Sequence, residues 1–398
     1  MIQSPDGNFY GVTIRGGTSL GQSFGRGTAF KMTPQGAVTT LYNFCSISQC
    51  TDGAAPTGLV QAADGNFYGT TNLDSISSNG GTVFKLTPQG VLTTLHRFCD
   101  AFNSPCPDGG LPNSTLIQAT DGNLYGSTSL GGVSESSGMC TVGCGTVFKI
   151  TPEGTFTKLY EFCSVPNGSI CPDGINPTGG LVQGADGNLY GITARGGPHQ
   201  AGSQMPGGTV FKIGLDGTFT SLYAFCAVSP CLDGGAPTGG LVLASDGNFY
   251  GVATHGGPNR EGTVFKLDAK SGTVTTAAAF GFAGLPQTKW ISQATDGNFY
   301  ITNSNSVGGS IQKLSLSLKP FVKALPSSGA VGSTVTILGT KLTGATAVKF
   351  NGAAATFTVV SPTEITATVP TGATAGSVTV SLPLNKTLLS DIAFRVTP

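Results

Sequence analysis

The tripeptide Asp-Gly-Asn, followed by an apolar residue and usually by Tyr-Gly, occurs six times in this chain, beginning at Asp6, Asp64, Asp121, Asp186, Asp246 and Asp296. Self-similarity on such a period has to be recognised before any other reading, because it constrains the whole architecture. A second motif follows each copy: GTAFKM, GTVFKL, GTVFKI, GTVFKI, GTVFKL and GSIQKL, carrying Lys31, Lys85, Lys149, Lys212, Lys266 and Lys313. In the first five units a Thr-rich run comes next and ends in aromatic residues, as in TTLYNF up to Phe44 or TSLYAF up to Phe225.

Each unit reads as four short strands rich in Val, Thr, Phe and Tyr and bounded by Gly, Pro, Asn and Asp. Gly supplies a positive φ to the Asp-Gly-Asn hairpin, and Asp or Asn bonds the local backbone. Helical periodicity is absent, and the 61 glycines among 398 residues disfavour helix further. Four-stranded units on this period predict a β-propeller, whose blades bury both faces against their neighbours. The expected fold is all-β: a propeller of about six four-stranded blades over residues 1–318, with first and last repeats incomplete, then an immunoglobulin-like sandwich over 319–398. The tail is predicted from alternating strands such as TVTILGT, AVKFNG and SVTVSLP.

Composition narrows the function. Lys plus Arg and Asp plus Glu number 20 each, so no strong field attracts nucleic acid or an anionic membrane. No run of apolar residues is long enough to span a bilayer. The nine tyrosines all fall at repeat positions, where packing explains them. His96 occupies the strand position of Tyr42 and Tyr160 and is expected to pack as they do.

Within a unit, the first and third turns emerge on one face, the hairpin face, and are tight. The second turn and the connection to the next unit emerge on the other, the loop face. Nearly all length variation is there, including Ser129 to Gly145 and Ala194 to Gly208, and variable loops on a rigid scaffold are where function concentrates. All ten cysteines are on this face, as local pairs: Cys45 with Cys50, Cys99 with Cys106, Cys140 with Cys144, Cys163 with Cys171 and Cys226 with Cys231. They predict five disulfides formed in an oxidising compartment, in preference to a metal site, because the pairs lie in separate loops without histidine companions. No cofactor is expected.

Candidate binding residues on the loop face are Arg195, His199, His255 and Arg260, near Gly-Gly pairs, and Asp52, Asp108, Asp173 and Asp233, in the repeated context CxDGxxP. The repetition favours a turn role for these aspartates, with a calcium or sugar contact as the alternative. No residue is assigned as catalytic. Met1 to Gln3 match only the end of a leading strand, and no basic and apolar leader precedes them. The chain is therefore expected to be a shortened copy of a secreted precursor, located outside the cell or on its surface.

Two resemblances follow from these motifs. The repeats, DGNxYGxT, then GG, then GTVFKxTPxG and a strand ending LYxF, resemble the Gloeobacter/Verrucomicrobium repeat of exported bacterial proteins. That resemblance implies export, often with surface attachment, and carries no assigned activity. The tail, with Pro326 to Gly329, Gly332, TVTILGT, Val348 to Gly352, Val369-Pro370 and Phe394, is similar to an IPT/TIG immunoglobulin-like domain. The preferred reading is a non-enzymatic secreted or surface binding or adhesion module that contacts an extracellular glycan or surface protein through its braced loops. The alternative is a carbohydrate-active propeller, polysaccharide-binding or polysaccharide-cleaving.

Overall fold

The β-branched and aromatic runs form strands, and the Asp-Gly-Asn and Thr-Pro-x-Gly segments reverse the chain between them. A computed structural model describes residues 1–4, 6–18, 25–73, 80–99, 106–132, 140, 142–164, 171–199, 207–281, 288–305 and 308–397. Much of the Ser129–Gly145 and Ala194–Gly208 loops lies outside those residues. Blade 1 comprises β1 (Ile2–Gln3), β2 (Phe9–Thr13), β3 (Thr28–Met32) and β4 (Val38–Asn43). Blade 2 comprises β5 (Ala54–Gln61), β6 (Phe67–Leu73), β7 (Gly81–Leu86) and β8 (Leu92–Phe98). Blade 3 has β9 (Ile117–Gln118), β10 (Leu124–Thr128), β11 (Thr146–Ile150) and β12 (Phe156–Glu161), and blade 4 has β13 (Ile175–Gln183), β14 (Leu189–Arg195), β15 (Thr209–Ile213) and β16 (Phe219–Ala224). Blade 5 follows with β17 (Gly235–Leu243), β18 (Phe249–His255), β19 (Thr263–Leu267) and β20 (Val274–Ala279). Blade 6 has three strands, β21 (Thr288–Gln293), β22 (Phe299–Asn305) and β23 (Gly308–Leu314). Within each sheet the strands pair in chain order and antiparallel, the meander that short turns permit.

The cores lie between blades. Tyr10, Phe44, Phe67 and Phe84 join blades 1 and 2, while Tyr125, Phe162, Leu189 and Phe211 join blades 3 and 4. Tyr10 stacks on Phe67 of the next blade with ring centroids 4.3 Å apart, and Tyr190 on Phe249 at the same distance. The Tyr-Gly step makes room for a ring of the adjacent strand. At Gly191 a Cβ would stand 2.4 Å from the Phe211 ring.

At the hairpin face the repeated Asp, Tyr and Lys form one cluster per blade. Asp64 accepts hydrogen bonds from Tyr68 Oη at 2.8 Å and from the Asn66 amide at 3.0 Å, and it pairs with Lys85 at 3.2 Å. Burial raises the pKa of such a carboxyl, but bonds from Asn, Tyr and Lys outweigh it. Asp6 is lowered to about 2, and Asp64, Asp121, Asp186, Asp246 and Asp296 are lowered as well. A folded-state value below the unfolded one stabilises above the unfolded value, and this stabilisation is lost as pH falls through the folded one. Stability is therefore expected to fall from about pH 4 toward pH 2. Asp64→Asn is expected to cost about 1 kcal/mol at neutral pH, after allowance for screening at a half-exposed site. It should also flatten the acid limb of urea midpoints measured against pH, and an unchanged limb would contradict the assignment.

The tail has its own core of Val335, Ile337, Val348, Phe350, Val380 and Phe394. One sheet holds, in spatial order, β24 (Lys323–Leu325), β26 (Thr334–Leu338), β30 (Glu364–Thr368) and β29 (Phe357–Ser361). The other holds β28 (Ala353–Ala355), β27 (Ala347–Phe350), β31 (Val378–Leu382) and β32 (Lys386–Leu389), and β25 (Ser328–Ala330) pairs in parallel with β33 (Arg395–Thr397). The linker rests on the hairpin face: the Phe321 amide donates to the Thr295 carbonyl at 3.1 Å, and Ser245 Oγ to the Lys319 carbonyl at 3.3 Å. A concavity of about 850 Å³ lies between this domain and the first strands of blades 1 to 3, bordered by Gln3, Gln61, Gln118, Lys323, Ser327 and Ser328.

Candidate active site at the loop face

The loop face is assembled from interlocks between successive blades. After each CxDG turn the chain carries a non-glycine residue at positive φ immediately before proline: Ala55, Leu111, Asn176 and Ala236, with φ between 48° and 54°. The strain is compensated across the blade junction. Each of these residues donates its amide to a carbonyl of the preceding blade, Ala55 to Arg26, Leu111 to Gly80, Asn176 to Cys144 and Ala236 to Gly207, at 2.7 to 3.0 Å. The proline then packs on the glycine at the entry to the third strand of that blade, as Pro237 does on Gly208.

The cysteines form the five expected bridges, Cys45–Cys50, Cys99–Cys106, Cys140–Cys144, Cys163–Cys171 and Cys226–Cys231. Their carbonyls also hold the Gly-Gly turns: Gly132, Gly197 and Gly257 donate to the carbonyls of Cys106, Cys171 and Cys231, each at 2.8 Å. Sequence spacing separates the bridges, but the fold brings the Cys144 sulfur within 4.8 Å of those of Cys163 and Cys171. This is the one group of potential metal-ligating atoms among the described residues, and all three sulfurs are in disulfides.

The eight candidate residues separate into two groups. Asp52 is fully buried, and its carboxylate accepts from Tyr42 Oη at 2.8 Å and from the Ser46 amide at 2.9 Å. Asp173 accepts from Tyr160 Oη and the Cys163 amide, both at 2.9 Å, and Asp233 from Tyr223 Oη at 2.7 Å and the Ala227 amide at 3.0 Å. Asp108 lies 2.9 Å from His96 Nε2, and the His96 ring stacks on Phe156 with centroids 3.9 Å apart. These carboxylates tie the end of one blade's last strand to the turn that starts the next. Burial raises the Tyr42 hydroxyl to about 12, helped by the neighbouring Asp52, and raises Tyr160 and Tyr223 further. Burial also pushes Asp173 up despite its hydrogen bonds.

Arg195, His199, His255 and Arg260 are all exposed. Arg195 and His255 close the second strands of adjacent blades at one register position, opposite Ile175 and Gly235, and a Gly-Gly turn follows each. Thr254 Oγ1 donates its only proton to the Ala236 carbonyl at 3.0 Å, so its 3.0 Å contact with His255 Nδ1 is accepted from an N–H. A proton on Nδ1 leaves the lone pair of the neutral ring on Nε2. Neither Thr254 nor the equivalent Arg15 is among the residues singled out from sequence. Arg15-Gly-Gly, Arg195-Gly-Gly and His255-Gly-Gly at the same repeat position carry that signal.

Residues 1–231 match the Gloeobacter/Verrucomicrobia repeat. The chain belongs to this repeat family. Residues 320–396 of the repeat protein match the IPT/TIG domain. No curated protein matches it. Among solved structures the repeat protein is similar to a gluconolactonase of Xanthomonas campestris, at 15% identity and a TM-score of 0.41, over 72% of this chain and 79% of that one. It is also similar to the PQQ-bound aldose sugar dehydrogenase of Streptomyces coelicolor, at 14% identity and 0.41, over 77% and 98%. A fungal alcohol oxidase in complex with copper matches at 12% identity and 0.40, over 98% and 94%. The expectation of a non-enzymatic binding or adhesion module is corrected here, since these neighbours are enzymes. At these identities no residue role or reaction transfers to the repeat protein. No helix among its described residues is long and apolar enough to cross a membrane.

Proposed function

We propose that this protein is an exported carbohydrate-active propeller working at its loop face. His255 serves as proton acceptor, Arg195 and Arg260 as cationic contacts to the bound saccharide, and His199, on the turn after Arg195, as a further contact. The observation that carries this reading is the chain from His255 Nδ1 through Thr254 Oγ1 to the Ala236 carbonyl. A fixed tautomer with its lone pair on Nε2 is what a general base requires, and a solvated loop histidine has no need of it. The support is rigid, since Ala236 is tied to blade 4 through Gly207, and the turn after His255 is tied to the Cys226–Cys231 loop. Five disulfides accord with an oxidising compartment outside the cytosol. In this reading Asp52, Asp108, Asp173 and Asp233 hold the scaffold, and the immunoglobulin-like domain is a spacer or second contact.

The test is turnover and binding on a panel of neutral and acidic polysaccharides. Positioned general bases contribute about 10²- to 10⁴-fold to rate, so His255→Gln is expected to lower kcat at least 100-fold with little change in KM. Full turnover by His255→Gln, or no binding and no turnover of any saccharide by the wild type, would overturn the reading.

A further inference from the structure

The arginines of the propeller are segregated from the lysines of its GTVFK strands. At the hairpin face Lys31, Lys85, Lys266 and Lys313 each pair with the aspartate of their own blade, at 3.2 to 3.5 Å. All five propeller arginines, Arg15, Arg26, Arg97, Arg195 and Arg260, lie instead at the loop-face ends of strands or in the loops there. Arg26 and Arg97 have partners. Arg15, Arg195 and Arg260 are exposed, and among the described residues no hydrogen bond or ion pair engages their guanidinium groups. The loop-face carboxylates show the reverse. Asp52, Asp108, Asp173 and Asp233 are bonded as described, Glu161 pairs with Lys158 at 2.8 Å, and Glu261 has a partner. Among the described residues, the loop face thus offers unpaired guanidinium groups and no unpaired carboxylate.

That inventory bears on the reaction. Glycoside hydrolysis in most families uses two facing carboxyl groups, and the loop-face carboxylates among the described residues are committed to the scaffold, Asp74, Asp100 and Glu135 lying outside those residues. Guanidinium groups, by contrast, match carboxylates in shape and charge. We infer, resting on the reading above, that the substrate is a uronate-containing polysaccharide and that its chain is broken by β-elimination. Arg195 and Arg260 neutralise the sugar carboxylate, which acidifies the C–H at the carbon α to it. His255 Nε2 takes that proton. The C–H electron pair becomes the double bond between the α and β carbons, and the glycosidic C–O bond at the β carbon breaks. The leaving oxygen departs with the C–O bonding pair and takes up one proton, so the proton count balances and no water, oxidant or reductant is consumed. Each cut leaves one new unsaturated uronate end and one new reducing end.

The test incubates the full chain with polygalacturonate, alginate, carboxyl-reduced polygalacturonate and an uncharged glucan. It follows both new reducing ends and the ultraviolet absorbance of the conjugated double bond. The expected result is that the two signals rise together on uronate polymers and are absent from the carboxyl-reduced and neutral ones. His255→Gln should lower kcat at least 100-fold, Arg195→Ala should raise KM at least tenfold, and Arg195→Lys should recover part of that loss. Far-ultraviolet spectra and denaturant midpoints matching the wild type establish that the variants fold. Reducing ends without absorbance, uronate binding without cleavage, or turnover confined to neutral polymers would overturn the elimination. Neutral turnover that still depended on His255 would leave the loop-face reading standing, whereas inactivity and lack of binding on every polymer would defeat both.

Discussion

Phe211→Ala should destabilise the propeller by about 3 to 5 kcal/mol, because removing a fully buried ring forfeits its transfer energy and leaves a cavity that a sheet-on-sheet interface cannot close. Phe211 is completely inaccessible and lies in the core shared by blades 3 and 4. Its ring centroid is 5.2 Å from that of Phe162 and 5.5 Å from that of Phe219, and the ring fills the space that Gly191 leaves open on the neighbouring strand. Nothing nearby can move in readily, since Gly191 pairs with Phe211 itself and its neighbours Tyr190 and Ile192 are held by Val182 and Thr178 of the first strand. Val38→Ala is the control, at a side chain 62% exposed, and should stay within about 0.5 kcal/mol of wild type. Urea unfolding of both variants decides the matter; a loss below about 1 kcal/mol for Phe211→Ala would mean that the blade faces are not packed as described.

Gly208→Val should cost about 4 kcal/mol by a different route. Gly208 has φ +105°, and a Cβ there would lie 2.5 Å from both Pro237 Cδ and the Thr193 carbonyl oxygen. The backbone term for a side chain held in a sparsely populated region is about 1 to 3 kcal/mol, and overpacking adds about 1 to 3. Thr193 belongs to blade 4 but Pro237 to blade 5, so the proline's share of the second contribution arises only if the junction between blades 4 and 5 is closed. Gly187→Ala separates the two, because Gly187 has φ +81° with open space around its would-be Cβ. It should lose only about 1 to 2 kcal/mol. Equal losses for the two variants would show that proline does not seat on glycine across the junction. Because the amide of Ala236, next to Pro237, bonds to Gly207, and the Ala236 carbonyl holds Thr254, Gly208→Val should disturb His255 as well.

The four-stranded unit is legible in the sequence because its determinants are local. Asp-Gly-Asn turns the chain by glycine conformation and Asx bonding, and Gly-Thr-Val-Phe-Lys supplies a strand buried on both faces. Cysteine pairing is legible for the same reason, since each partner lies in the same short loop. The interlocks between blades are less so. Gly208 and Pro237 each read as a turn residue, and only the fold sets one against the other. The same holds for the CxDG aspartates, whose turn context is repeated but whose tyrosine or histidine partners lie on the preceding strand. Arg195 and His255 can be singled out as loop residues beside Gly-Gly, whereas the support behind His255 depends on Ala236 from the first strand of the blade. A braced binding face and a braced active site look alike in composition. What separates them is which nitrogen of one imidazole carries the proton, and that follows from a hydroxyl whose only proton is already committed.

Nitrogen NMR of the three histidine side chains, His96, His199 and His255, with the His255 signals assigned through His255→Gln, tests this directly. In the neutral ring His255 should show a protonated Nδ1 and a lone-pair Nε2, and Thr254→Val should abolish that preference. A neutral His255 protonated at Nε2, or an equal mixture of tautomers in the wild type, would contradict the assignment of this residue as an oriented base.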